Sequence, residues 1–455
     1  MNPTLVRKAI YPAYRAAKRD KVLSLGARMR QVAGMEAEQI QQYQWESVQR
    51  LITYAAQHVP YYRKLFADLG VQVRDFKQLA DITALPVLRK RDIRDNFKDL
   101  QSEIYPRERL RYDSTGGSTG HNLYFYYDQA SSEARRAAYV EMNEWIGIHI
   151  GDRTAYLWGT AFDASSSAKI KHWIKAQFTN ELMLSAYTMD PVSVELYTRR
   201  LSQFRPRAIV SYPSALAHFA QSAKASGKTL FRPSVVVVSG ETLFDWQRET
   251  IEEAFGAKVY NHYGCREFGA MARECRIRDG LHLASDRLLV EVVPAARSSS
   301  GEEISELVVT DLDNYGMPFI RYAIEDVGEI TWERCACGLR LPRLRSAIGR
   351  TLDVVRAPNG NFLGGTFWTI LLRKVKGVAQ FQVIQDKLDS VTIAIVPTPE
   401  FSDDSRSYVL SKIREACGPG LVVHFDLKDK LETTGAGKHR FVISRIGLGP
   451  NPTHK

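Results

Sequence analysis

Between Gln39 and Leu69 the apolar positions recur every three or four residues, the spacing of one helix face, and the same texture fills most of the first hundred residues. Leu85-Pro86-Val87-Leu88 breaks it, because proline cannot continue a helix. The period then changes. Ala208-Ile209-Val210-Ser211-Tyr212 is a short apolar run followed by a helical pattern from Ser214, and Ser234 to Val238 is a β-branched run ending in Ser239-Gly240-Glu241. Runs that are apolar at every position predict strands buried on both faces, as in a parallel sheet between helices. Leu288 to Val293 and Glu306 to Thr310 alternate instead, which predicts antiparallel strands joined across Ser298-Ser299-Ser300-Gly301. From about Asp353 a third texture begins: strands at Phe381 to Ile384 and Val391 to Val396, a helix from Asp403 to Cys417 and a strand from Val422 to Leu427. The expected class is α/β. A large N-terminal α/β domain over residues 1–350 is mostly helical in 1–100 and β-rich in 281–350; a small α+β domain follows over 351–455.

Composition narrows the class without choosing a function. At 455 residues the chain exceeds the roughly 250 to 300 that one core supports, so two domains are expected. An apolar share of 44% and a charged share of 25% exclude fibrous and disordered classes. No apolar run is long enough to predict a transmembrane helix, and the N-terminus lacks the apolar core of a secretory signal. Five cysteines suit no disulfide framework, so a reducing, cytoplasmic setting is expected. The net charge of +11 suits an anionic ligand of some kind. Part of it is local: Arg7, Lys8, Arg15, Lys18, Arg19, Lys21, Arg28 and Arg30 face only Asp20 before residue 31, with Ile10, Tyr11, Tyr14 and Leu23 interleaved. That pattern fits either a peripheral membrane contact or an ordinary solvated helix.

Candidate chemistry begins at Asp113-Ser114-Thr115-Gly116-Gly117-Ser118-Thr119-Gly120. Glycines admit close approach, while amides and hydroxyls can donate to phosphate oxygens. The loop lacks a Gly-Lys-Ser/Thr ending, and by itself a hairpin turn is an equal reading. In order after it come Ser239-Gly240-Glu241, Asn261-His262-Tyr263-Gly264-Cys265-Arg266-Glu267, Arg321-Tyr322 with Asp326, Gly349-Arg350-Thr351-Leu352-Asp353, and Thr433-Thr434-Gly435-Ala436-Gly437-Lys438. His58 to Arg63 and Ser211-Tyr212-Pro213-Ser214 add to the series. The ordered set resembles the acyl-adenylate-forming superfamily, in particular the branch of phenylacetate-CoA ligase and the CapK-type proteins of polysaccharide gene clusters.

The resemblance spans roughly residues 40 to 445 and implies a role for each motif. Ser114 to Gly120 would close over ATP phosphates; Ser239, Gly240 and Glu241 would line adenine, with Tyr263 stacked on it beside Gly264. Glu267 would hold Mg²⁺ and Asp326 the ribose hydroxyls. Arg350 would sit near ribose or phosphate, Asp353 would be the hinge of a mobile small domain, and Lys438 would reach the α-phosphate and the carboxylate. Two departures stand out: His121 follows the loop where relatives often have lysine, and Arg266 replaces the usual Thr or Ser before the glutamate. The acid would bind near Trp158, Tyr212, Ser239 and Gly240, where an Arg or Lys would favour an acidic saccharide over an arylacetate.

Cys275, His282, Cys335 and Cys337 form a separate signal, since four soft ligands complete a tetrahedral, structural Zn²⁺ site. Reduced surface thiols or buried free thiols are the alternatives. The expected function is an ATP- and Mg²⁺-dependent ligase that activates a small-molecule carboxylic acid as an acyl-adenylate and transfers it to CoA or an amine, in a polysaccharide setting and with no nucleic-acid partner. The contrasting expectation is a non-catalytic nucleotide- or polyanion-binding scaffold on a decayed ligase fold.

Overall fold

A computed structural model describes residues 2–115, 123–158, 180–186, 191–297, 303–350, 355–358, 362–363, 368, 371–372, 375–431 and 441–446. The chain forms two compact units. The first comprises Met1–Glu291, Val309–Ala323 and Ile330–Arg345, and the second Val292–Val308, Ile324–Glu329 and Ser346–Lys455.

The helical pattern over 39–69 resolves into two helices, Ala37–His58 and Pro60–Leu69, with Val59 extended between them. A residue before proline is forced out of the helical region by the pyrrolidine ring, which sets the break. Buried Gln44 on the longer helix donates to the carbonyls of Ser285 and Leu288 at 3.1 and 3.0 Å, tying the helical layer to the sheet. Leu88, after Pro86, forms a parallel bridge to Tyr322. No described helix is long and apolar enough to cross a membrane.

Strands β1 (Arg111–Ser114) and β2 (Tyr124–Tyr127) form an antiparallel hairpin. The main sheet of the first unit contains β3 (Thr154–Trp158), β4 (Glu181–Ser185), β5 (Ala208–Ser211), β6 (Val235–Ser239) and β7 (Lys258–Cys265), parallel in the order β4-β3-β5-β6-β7. Helices Pro191–Phe204, Pro213–Ala225 and Asp245–Phe255 make the crossovers that parallel strands require. Val236, Val238 and Ile209 pack under Leu216, Phe219, Ile251 and Phe255, while Val235, Val237 and Val210 pack on the other face with Ile146 and Ile148. That two-sided burial explains the unbroken β-branched run.

Past β7 the sheet turns antiparallel through β8 (Gly269–Glu274) and β9 (Leu281–Leu283). Next come β10 (Leu288–Arg297), β11 (Glu303–Asp311), β12 (Tyr322–Thr331) and β13 (Arg343–Arg350), the last pairing with β9 through Arg343↔His282. Each of these four strands lies partly in each unit.

In the second unit a short pair, β14 (Val355–Arg356) and β15 (Phe362–Leu363), accompanies a sheet of β16 (Val378–Lys387), β17 (Ser390–Pro397), β18 (Val422–Leu427) and β19 (Val442–Ser444) in the order β18-β17-β16-β19. The helix Asp403–Cys417, capped by Ser402, supplies Val409 and Ile413 to a core with Val383, Ile393, Ile395 and fully buried Trp368.

Candidate active site

In open α/β sheets ligands bind outside the carboxyl ends of the parallel strands. Here those ends carry Trp158 on β3, Ser211 on β5 and Ser239 on β6. Trp158 stacks on Tyr212 with ring centroids 4.1 Å apart, and Ser211 Oγ donates to the Leu157 carbonyl at 3.0 Å, fixing the adjoining strand ends. Gly240 takes φ 83°, a left-handed conformation that sends the chain off β6 at a sharp angle. Glu241 Oε2 then accepts from the Ser214 amide at 3.1 Å, at the start of the helix Pro213–Ala225. A carboxylate there completes one of the open amides of a helix N-terminus and complements its dipole. Glu241 thus organises the turn that Ser239 and Gly240 belong to.

The β7–β8 hairpin positions the next group. Tyr263 is half-buried, and a bulge falls between it and Gly264. A Cβ on Gly264 would stand 2.2 Å from the Gly269 carbonyl oxygen, so only glycine permits the two strands to approach. Beneath the turn lies Arg135, from the helix Gln129–Glu144. Its guanidinium donates to the carbonyls of Arg266 (3.2 Å) and Glu267 and covers the Tyr127 ring at 4.2 Å. Burial, its main influence, lowers the pKa of this arginine, while Asp311 opposes the fall.

Glu267 is buried, and one carboxylate oxygen accepts from the Tyr322 hydroxyl at 3.1 Å. It has no ion pair among the described residues, so a buried carboxylate held by one neutral donor keeps capacity for a cation. The donor set fits Mg²⁺, a hard ion that takes one or two protein carboxylates and fills its shell with water and phosphate oxygens. Next to it, exposed Arg266 reaches Asp113 at 3.3 Å, which brings the end of β1 to the glutamate segment.

Asp113 and Ser114 close the β1–β2 ladder, with Ser114 opposite Tyr124. The Thr115 amide donates to the Leu123 carbonyl at 2.9 Å, and the Leu123 amide donates to Thr115 Oγ1 at 3.0 Å. The Gly-rich stretch therefore springs from the closed end of a hairpin. Gly116, Gly117, Ser118, Thr119, Gly120 and His121 lie outside the described residues, as do Asp353 and Lys438. Asp326 is half-buried on β12 within the second unit, four residues beyond Tyr322, and Arg350 ends β13.

Cys275, His282, Cys335 and Cys337 converge in the first unit, their donor atoms all within 4.8 Å of one another. Cys275 and Cys335 Sγ stand 3.7 Å apart, against about 3.8 Å for the edge of a tetrahedron of thiolates on Zn²⁺. His282 Nδ1 hydrogen-bonds the Leu341 carbonyl at 3.2 Å, which leaves Nε2 facing Cys337 Sγ at 3.3 Å. Burial brings the His282 pKa down to about 4, so the imidazole is neutral, as a ligand must be. Burial pushes the Cys337 thiol up to about 12 and raises Cys275 as well. Thiols so placed need a cation to ionise. The four residues fit a closed structural metal site.

A further polar cluster lies on β7 and β8. Register sets Ser239, His262, Arg273 and His282 in one line across β6, β7, β8 and β9. Fully buried Arg273 donates through Nε to His262 Nδ1 at 3.2 Å and through Nη1 to Asn143 Oδ1, and lies 5.1 Å from the Tyr139 ring centroid. Burial drives the His262 pKa well below its ordinary value, with Arg273 adding to the fall. Sequence reasoning passed over Arg135, Arg273 and the role of Tyr322. For Arg273 a signal existed, a single cation inside Gly269-Ala270-Met271-Ala272-Arg273.

Comparison with known proteins bears on this arrangement. Residues 355–445 match the model of the CapK C-terminal domain. The chain is 26% identical to protein CapK of Staphylococcus aureus over 81% of each chain. It is also 26% identical to phenylacetate-coenzyme A ligase of Thermus thermophilus over 83% of this chain and 86% of the relative. Among solved structures, 2-hydroxyisobutyryl-CoA ligase in its postadenylation state superposes with a TM-score of 0.70 at 20% identity, covering 91% of this chain and 92% of the other. ATP-bound MatB of Rhodopseudomonas palustris superposes at 0.50 and 13% identity over 72% of this chain and 66% of the other. By sequence the chain is similar to protein CapK and to the phenylacetate-CoA ligases, and its fold is that of the acyl-CoA ligases.

Proposed function

We propose that the protein is an AMP-forming carboxylate ligase. The observation that carries the reading is Glu267, a buried carboxylate with no counter-ion among the described residues, held by Tyr322 beside the Arg266–Asp113 pair at the end of the hairpin that bears the Gly-rich loop. An oxygen of the substrate carboxylate attacks the α-phosphorus of ATP, the bond to the bridging oxygen breaks, and pyrophosphate leaves an acyl-adenylate. A thiol or amine acceptor then attacks the acyl carbon, loses its proton and releases AMP. Magnesium, when bound, neutralises charge on the phosphates. The chain's residues contribute positioning and electrostatics: Ser114, Thr115 and Gly116 to Gly120 on phosphate oxygens, Tyr263 on the base, Asp326 on the ribose, Arg350 near ribose or phosphate and Lys438 on the α-phosphate and carboxylate. Cys275, His282, Cys335 and Cys337 would hold zinc as a latch on the sheet, remote from the reacting atoms.

The named relatives support CoA as acceptor through the phenylacetate-CoA ligases, while the likeness to CapK supports an amine acceptor in polysaccharide assembly. Carboxylate-dependent ATP–pyrophosphate exchange over aryl, fatty, amino and uronic acids, then trapping with CoA or amines, tests the reading. Lys438→Ala is expected to abolish exchange yet keep transfer from supplied acyl-adenylate; equal loss of both steps would remove Lys438 from its assigned role. Exchange indifferent to every carboxylate would favour the binding scaffold.

A further inference from the structure

Five arginines of the described chain are buried: Arg15, Arg273, Arg287, Arg321 and Arg343. Four of them have a carboxylate within reach. Arg15 meets Asp20 at 2.6 Å, Arg287 meets Asp311 at 3.6 Å, Arg321 meets Glu291 at 3.1 Å, and Arg343 meets Asp279. Arg273 meets none among the described residues. Its surroundings are a neutral histidine, an asparagine and two tyrosines, Tyr139 and Tyr156, and its Nη2 is buried without a hydrogen-bond partner.

An arginine cannot shed its charge by deprotonation, and a buried charge lacking a partner is costly. The guanidinium is thus a fixed cation with one unused donor and no counter-charge among the described residues. It also stands in line with the strand ends. Two strand spacings, about 10 Å, separate Arg273 from Ser239 along the register line, with His262 between them. Trp158 and Tyr156 lie on the same face, with Tyr212 stacked on Trp158.

We propose that Arg273 anchors a second anionic group on the acid that this ligase activates, so that its substrates are dianionic, with a carboxylate, sulfate or phosphate several bonds from the reacting carboxylate. The proposal rests on the ligase reading for the reaction but not for the binding. Asn143 and the neutral His262 hold the guanidinium in place, and Nη2 receives the ligand oxygen. A monoanionic acid of the same shape leaves the cation unmatched, and a site with an unmatched buried polar group discriminates by a factor of about 10² or more.

Two paired probes test this on the full chain: 4-carboxyphenylacetate against phenylacetate, and adipate against hexanoate. Binding is read by isothermal calorimetry and thermal shift without ATP, and reaction by pyrophosphate exchange. The expected result for the wild type is binding and exchange favouring the dianion of at least one pair by about 10². In Arg273→Met that preference falls to within a few-fold, and Arg273→Lys restores part of it. Exchange in which wild type and Arg273→Met share one preference would overturn the proposal and leave the ligase reading intact. Binding of a dianion by wild type but not Arg273→Met, with no exchange by either, would uphold the anion site and sink the ligase reading. Failure of both dianions to bind the wild type would overturn the proposal whatever the variants do.

Discussion

Two buried centres share one face of the main sheet, one strand apart, and each is incomplete in the opposite sense. At β9 the four donors Cys275, His282, Cys335 and Cys337 crowd together, and burial raises the thiols of Cys275 and Cys337. At β8 the Arg273 guanidinium is ringed by neutral groups, and no carboxylate of the described residues lies within reach. Burial alone would make both unfavourable, so each centre is informative through the sign of the charge it lacks. The first fits a cation, and the second is the anion site proposed above.

The largest effect should come from breaking the first centre. Cys335→Ala, or prolonged chelation, is expected to take bound zinc from one ion per chain to none by elemental analysis and to lower the melting temperature by about 10 °C. A wild-type chain isolated without metal yet unaffected by the substitution would make these buried free thiols. A smaller, sharper test sets Arg273 against a paired arginine. Arg287→Met strands the buried Asp311 and should cost about 3 kcal/mol in urea unfolding, moderated by nearby Arg135. Arg273→Met strands no carboxylate and should fall within about 1 kcal/mol of wild type, on either side. Equal losses would show that Arg273 serves the fold as the others do. The smallest effect belongs to Tyr322→Phe, which removes one hydrogen bond from Glu267. It should cost about 1 kcal/mol and shift the Mg²⁺ concentration for half-maximal exchange a few-fold. An unchanged Mg²⁺ dependence would separate Glu267 from the metal.

Much of the scaffold was legible because its cause is local. Continuous apolar runs gave β5 and β6, and the helix Asp403–Cys417 and strand Val422–Leu427 carry their signals in adjacent residues. The four metal donors could be assembled from residue chemistry alone, although their convergence needed the fold. Other features depend on contacts between distant segments. The Arg266–Asp113 pair joins positions 153 residues apart, and no periodicity announces that a turn after β7 meets the end of β1. Arg135 reads as one more polar residue on an amphipathic helix until the carbonyls of Arg266 and Glu267 are seen above it. Arg273 was visible as a cation within an apolar strand; its lack of a counter-charge among the described residues emerges only from the fold. The unit boundaries within β10 to β13 were also hidden, because a strand that passes from one compact body to another has an unbroken pattern.

The thiol pair Cys275 and Cys335 lies 60 residues apart in sequence, and the segment between them holds β9, β10, β11 and β12. A metal bound there would fasten the strands around β9 only after Cys337 has emerged from the ribosome. The supply of that metal during translation, rather than during turnover, would then decide how many chains mature.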